Sequence, residues 1–205
     1  RNIEGVAVSL LDSVFTAILY IALFLFLAGV LGVKSVSFAA VLASMGLAVG
    51  MALSGQLQNL AGGVIIMVTK PFSIGDYILA QTVEGSVRAV SLFYTEILTP
   101  DNKRIFIPNG VLSSGVMVNY SHEETRRIEW IIGVEYDEDF SRVRSAIESL
   151  LESDERILKT PESTIALHKL NNSSVDVLVR AWVRSDDLWP VFWDFNRRVY
   201  EDFNK

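Results

Sequence analysis

From Ser13 to Val33 the chain runs 21 residues without a charge, dominated by Leu, Ile, Phe, Ala and Val. At about 1.5 Å per residue, a helix of that length just crosses the roughly 30 Å hydrocarbon core of a bilayer, so the run predicts a spanning helix. Gly32, Val33, Lys34 and Ser35 predict a short turn, and a second uncharged run of 35 residues continues from Ser35 to Thr69. One straight helix of that length would reach about 52 Å, well past a bilayer, so the second run is expected to break. Gly55 is the natural place, because Ser54, Gln56, Gln58 and Asn59 around it are polar and glycine weakens a helix. Beyond it Leu57, Leu60, Val64, Ile65 and Val68 recur at spacings of three and four, leaving Gln58, Asn59, Gly62 and Gly63 elsewhere. That pattern predicts an amphipathic helix lying near the interface or against protein, ended by Lys70 and Pro71.

The second run presents three kinds of face at about 100° per residue. Within about 60° of Leu47 lie Ala40, Ala43, Ser44, Gly50, Met51, Ser54 and Gln58, a stripe that is small and weakly polar apart from Leu47 and Met51. Small residues flank it, with Ala39, Gly46 and Gly50 on one side and Ala48, Ala52 and Gly55 on the other. Phe38, Leu42, Met45, Val49 and Leu53 stand opposite. Bulky apolar side chains suit lipid or the first helix, while two small flanks let identical neighbours approach on both sides. A closed ring of such helices would put Leu47 and Met51 on its axis, where apolar rings gate by dewetting. Periodicity alone favours close helix packing that encloses no pore slightly over a pore.

After Lys70 the pattern turns to short alternating segments. From Asp76 to Tyr120 they are rich in Val, Ile, Thr, Tyr and Phe and punctuated by Gly85, Pro100, Asp101, Asn102, Pro108 and Gly110, which predicts a small antiparallel β domain or barrel. The last section predicts strands near Arg127–Val134, Thr164–Leu170 and Val175–Val183, with helices near Phe140–Glu152 and Leu188–Phe203. This is a mixed arrangement of the split βαβ, ferredoxin-like kind. The expected organisation is an α-helical transmembrane hairpin over 1–70, a β domain over 71–126 and an α/β domain over 127–205.

Half of the 205 residues are hydrophobic and the mean hydropathy is +0.34, too apolar for an ordinary soluble domain. The first 70 residues hold three basic and two acidic side chains; the rest hold 15 and 22. An acidic, unpatterned soluble part lacks the basic stripe that nucleic acid requires. The absence of cysteine excludes disulfides, thiolate catalysis and Cys-type metal sites. The acidic cluster Glu135, Asp137, Glu138 and Asp139 lacks EF-hand spacing and reads as a helix cap before Phe140. His122 and His168 form no metal-ligand grouping, and no nucleophile elbow or phosphate loop is present, so neither a metal, a cofactor nor an enzyme is expected. Trp182, Trp189 and Trp193 read as core or subunit-contact residues. A chain that opens on Arg1 and stops at Lys205 is expected to be part of a longer protein.

The run Gly46-Leu47-Ala48-Val49-Gly50-Met51-Ala52-Leu53-Ser54-Gly55-Gln56-Leu57-Gln58-Asn59-Leu60-Ala61-Gly62-Gly63, followed by Lys70-Pro71-Phe72-Ser73-Ile74-Gly75-Asp76, resembles the pore helix and linker of the small-conductance mechanosensitive channel (MscS) family. The likeness continues through Gly85-Ser86-Val87, Thr99-Pro100-Asp101-Asn102-Lys103 and Ile107-Pro108-Asn109-Gly110. The resemblance implies a homoheptamer in the plasma (inner) membrane, with an Sm-like β domain and the α/β domain on the cytoplasmic side. It implies opening under membrane tension and release of ions and small solutes during hypo-osmotic shock, with lipid, identical subunits and the permeating solutes as partners.

The same resemblance assigns roles along the pore helix. Leu47 and Met51 stand at the family's two sealing rings, so that by helical phase Ala40, Ala43, Ser44, Ser54 and Gln58 would line the pore and Gly46, Ala48, Gly50 and Ala52 would pack neighbouring helices. Gly55 and Gly63 are kink or hinge positions, and Asn59 and Gly110 meet where the second half of the helix rests on the β domain. Met51 departs from the more usual Leu, Ser54 from a frequent Gln and Leu98 from a common basic residue. The family's membrane helix before the hairpin and β-barrel after the α/β domain have no counterpart within residues 1–205. A membrane-anchored oligomeric sensor or binding module without a pore is the competing possibility. A secondary transporter is disfavoured by the few helices and the lack of intramembrane charge.

Overall fold

The computed structural model describes residues 3–31 and 36–203. They fall into two compact units, Arg1–Asn59 and Leu60–Lys205. The turn expected over Gly32–Ser35 lies outside the described residues.

In the first unit, α1 (Ile3–Val30) begins upstream of the uncharged run and carries Glu4 and Asp12 in its N-terminal half. Helix α2 (Val36–Thr69) supplies this unit as far as Asn59. Asp12–Val30 (19 residues) and Ala40–Thr69 (30 residues) are long and apolar enough to cross a membrane. The interruption expected at Gly55 is not found, and α2 is helical through both Gly55 and Gly63. A lone glycine costs a helix only about 1 kcal/mol relative to alanine, and no proline follows until Pro71.

The second unit opens with the last turns of α2. Five strands follow: β1 (Tyr77–Ala80), β2 (Val83–Val90), β3 (Tyr94–Leu98), β4 (Arg104–Pro108) and, after the short helix α3 (Asn109–Ser114), β5 (Met117–Asn119). All pairs are antiparallel in the order β4-β3-β2-β1-β5, so β5 returns to pair with β1. Gln81, at φ 57°, makes the tight link between β1 and β2. The pleat turns Ile78, Ala80, Val87, Ile97 and Ile107 inward, and Ile66 of α2, Phe72 and Leu112 close the same core.

The α/β part runs β6 (Thr125–Val134), α4 (Phe140–Glu152), β7 (Ile157–Leu158), β8 (Thr164–Leu170), β9 (Val175–Arg184), a 3-10 turn (Ser185–Asp187) and α5 (Leu188–Phe203). Central β9 pairs with β6 on one edge and with β7 and β8, end to end, on the other, all antiparallel. This is the split βαβ topology. One sheet face, with Ile128, Trp130, Val177, Val179, Ala181 and Val183, packs on Val143, Ile147, Leu150 and Leu151 of α4 and Leu188, Val191 and Phe195 of α5. Asp139 caps α4, its carboxylate accepting from the Ser141 N–H at 2.8 Å. The tryptophan that fills the core is Trp130, stacked on Phe192 and Phe195. Trp189 and Trp193, one turn apart opposite the buried stripe of α5, stack on each other at 5.7 Å in the open; as core residues they are corrected.

Candidate functional site

Within the first unit the faces of α2 meet different surroundings. Phe38, Val41, Leu42 and Met45 line a cleft with Tyr20, Ile21, Phe24 and Leu25 of α1. The rings of Phe24 and Phe38 meet edge to face at 6.0 Å, close to the optimum for an aromatic pair. On the other side Leu47 and Met51 are each 64% exposed. A Cβ placed on Gly46, Gly50 or Gly55 would meet nothing within 4 Å, and Ala40, Ala43, Ala48, Ala52 and Gln58 are likewise exposed. The bulky side therefore faces α1 from Phe38 to Met45, while Val49 and Leu53 farther along it, like the stripe and its small flanks, are exposed in the single chain.

The stripe is also less polar than its sequence suggests. Ser44 Oγ donates to the Ala40 carbonyl at 2.9 Å and Ser54 Oγ to the Met51 carbonyl at 2.8 Å, so both hydroxyl protons are spent on the helix itself. Between Ala40 and Gln58 no side chain is charged. Such a surface coordinates no ion and offers water few strong partners.

In the second unit, the end of α2 is seated by glycines. Gly62, Gly63 and Ile66 are buried, whereas Val64, Ile65 and Val68 are exposed. Of the two surroundings expected for the apolar side, protein is therefore not what Val64, Ile65 and Val68 meet in the single chain. Close backbone approach, rather than side-chain bulk, selects the face: a Cβ on Gly62 would lie 2.5 Å from the Asn109 carbonyl oxygen and 2.8 Å from the Gly110 nitrogen. A Cβ on Gly63 would collide with the Leu92 carbonyl and the Asn109 amide. Gly63 is therefore a close-contact position in a continuous helix.

Asn109, which sequence reasoning did not single out, is the centre of this seat. It is fully buried with Thr95. Its Oδ1 accepts from Thr95 Oγ1 at 2.8 Å, its Nδ2 donates to the Ser91 carbonyl at 2.7 Å, and its backbone N–H donates to the Phe93 carbonyl at 3.0 Å. Gly110, which was singled out, is buried beside it, and Asn59 is half-buried. The available signal was the Pro108-Asn109 step, a polar residue directly after a strand, together with the Gly62-Gly63 pair.

Charged groups elsewhere in this unit pair with one another. Arg156 bridges Asp154 at 2.7 Å and Asp194 at 2.9 Å, and the bond from Arg156 holds the Asp154 carboxyl below the usual carboxylate range. Arg180 does the same for Glu129 across β6 and β9, at 2.7 Å. Among the described residues no group of three or more His, Asp or Glu is placed to hold a metal ion.

Residues 55–122 match the family described as mechanosensitive ion channel, β-domain, and residues 128–205 match mechanosensitive ion channel MscS, C-terminal. An uncharacterized MscS family protein of Buchnera aphidicola is 34% identical over the whole chain, which covers 67% of that protein. The chain belongs to the MscS family. Another MscS relative, a small-conductance mechanosensitive channel of Edwardsiella ictaluri, is 40% identical over 149 residues, 73% of the chain and 52% of that protein. The chain thus spans about half to two thirds of these relatives' lengths. The MscS of Helicobacter pylori, solved in a closed state, superposes with a TM-score of 0.87 at 29% identity, covering 98% of this chain and 79% of that one. N-terminal apolar helices followed by a β domain and a C-terminal domain are the MscS fold.

Proposed function

We propose that this MscS family chain forms a channel opened by membrane tension, with α2 lining a pore between identical subunits. The observation that carries this is the division of α2: its bulky face meets α1 from Phe38 to Met45, while the apolar pair Leu47 and Met51 and the bare glycine flanks lie on other faces, exposed in the single chain. Small flanks on both sides of an apolar stripe suit a ring of like helices, and a ring of seven matches the resemblance in sequence. Leu47 and Met51 then form two apolar constrictions that hold no continuous water column until tension widens them. Ions and small solutes pass when the rings part, as hypo-osmotic shock demands, so the chain is a channel and not an enzyme. In this reading the chain divides at 70/71 and 126/127, with the hairpin in the inner membrane and the two other parts in the cytoplasm. In this reading Gly55, helical here and with nothing within 4 Å of an added Cβ, is where α2 bends during gating.

Because the chain has no cysteine, single cysteines report neighbours cleanly. Gly50→Cys and Ala52→Cys should each couple adjacent subunits under mild oxidation, while Phe38→Cys, facing α1, should not. Crosslinks at Phe38 with none at Gly50 or Ala52 would mean that another face of α2 meets its neighbours.

A further inference from the structure

Asn119, at the end of β5, spends its whole side-chain amide on two segments distant in sequence. Its Nδ2 donates to Asp76 Oδ2 at 2.9 Å and to the Pro71 carbonyl at 3.2 Å, both in the turn that leaves α2. Its Oδ1 accepts from the backbone N–H groups of Ser121 at 2.9 Å and His122 at 3.0 Å, in the link that leads to the α/β part. Further bonds join the same segments. The Tyr77 N–H donates to Ser121 Oγ at 3.0 Å, the Tyr120 N–H to the Tyr77 carbonyl at 2.9 Å, and the Asp76 carboxylate also accepts from the Ser73 N–H at 2.9 Å. The link is fixed in turn to the corner between β9 and α5, where Ser185 donates its N–H to the Glu124 carbonyl at 2.9 Å and its Oγ to the Glu123 carbonyl at 2.6 Å. Fixed contacts therefore lead from Pro71 through Asn119 and the short link to Ser185.

The chain leaves α2 through Lys70 at φ 46°, a left-handed conformation that a non-glycine residue keeps only where its surroundings hold it. Asn119 grips the carbonyl of the very next residue. Only an amide satisfies this place, since a donor must face the Asp76 carboxylate and an acceptor must face two N–H groups. A carboxylate there would set like charges against each other.

We propose that Asn119 is a positioning residue that couples the end of α2 to the α/β domain and thereby sets how long the pore conducts under tension. This rests on α2 being the pore helix. With the contact intact, the helix end moves only together with the link and the corner at Ser185. Without it, the helix end gains arrangements that lose their bearing on the α/β domain, and the conducting one is populated for less time.

The test uses the full chain in liposomes. Asn119→Asp should shorten the decay of current under sustained tension at least twofold with unit conductance unchanged, and Asp76→Ala, which attacks the contact from its other end, should do the same. The double variant Asn119→Asp, Asp76→Asn should recover part of the decay time, because an amide at 76 then donates to a carboxylate at 119, although the Ser73 N–H and the Pro71 carbonyl lose their partners. Hydrogen exchange at Ser121 and His122 should rise about two- to tenfold in Asn119→Leu, the factor for one lost hydrogen bond, while core amides at Ile97 and Val179 stay protected and report an intact fold. Faster exchange with unaltered current decay would reduce Asn119 to a local brace and overturn the coupling. A wild-type chain silent under tension would remove the channel reading and the coupling with it, whereas a tension-gated wild type with normal decay in Asn119→Asp removes the coupling alone.

Discussion

Leu47 and Met51 lie one turn apart on a helix whose remaining stripe is Ala, Gly, Ser and Gln, so nearly all the apolar bulk available to an axial constriction comes from these two side chains. The back-bonded hydroxyls of Ser44 and Ser54 add little that would hold water. Leu47→Ser should therefore wet the constriction, lower the opening tension and slow growth through leak, and Met51→Ser should do so more weakly, because Met already makes a more pliable ring. Val49→Ser, on the face opposite the stripe, is the control. Equal effects at Leu47 and Val49 in tension-ramp recordings would mean that the stripe does not face a pore. Asn109 is the other residue with a sharp expectation. Asn109→Ala strips partners from the Thr95 hydroxyl and the Ser91 carbonyl, and unsatisfied buried polar groups cost about 1–3 kcal/mol each. Thermal unfolding of the detergent-solubilised chain should fall clearly; an unchanged midpoint would show that the seat tolerates the loss.

At the scale of elements, the end of α2 shows what a linear pattern conveys and what it does not. The recurrence of Leu57, Leu60, Val64, Ile65 and Val68 announced a helix, and a helix is there. It did not reveal which face meets protein, because hydropathy ranks residues by side chain while this contact is made by backbones that meet where side chains are lacking. Gly62→Ala, which must push the Asn109–Gly110 backbone aside, should cost about 1–3 kcal/mol as an overpacked contact does, despite the gain in helix propensity. A stabilised Gly62→Ala protein would refute the close seat. Elsewhere periodicity served well: α4 and α5 begin and end where their patterns do, since each has one clearly buried face, and β8 has the expected bounds as well. The two-residue β7, the turn at Ser185 and the short α3 were not legible, because each is held by tertiary contacts and is too short to show a period. Asn109 stood inside a recognised motif, yet burial of a polar side chain depends on partners from β3 and from the turn between β2 and β3, and no local pattern reveals them.

For the whole molecule, acid sensitivity should arise in the soluble part. Asp154 has its carboxyl pKa lowered chiefly by the hydrogen bond from Arg156, so its contribution to stability is complete above the ordinary carboxylate value of about 4 and is lost as pH falls through the lower folded value. Asp154→Asn should therefore unfold at a lower temperature than the wild type near neutrality, with the difference closing below about pH 3 to 4. A difference that persisted undiminished in acid would assign the effect to packing. The sequence made the two long apolar runs, the β and α/β parts and the stripe of Leu47 and Met51 legible, because apolar length, pleat and helix period each leave a repeat along the chain. It did not reveal the Asn109 seat or the Asn119 contact, where residues distant in sequence meet. The central claim, that these parts make a pore opened by tension, is tested most directly by patch-clamp recording of the purified full chain in plain lipid under graded suction. A pore of this kind should give silent patches at rest and step-like currents above a threshold of suction, only weakly selective among small ions because the stripe from Ala40 to Gln58 carries no charge. Intact protein that passes no current up to the tension at which the membrane ruptures would contradict it.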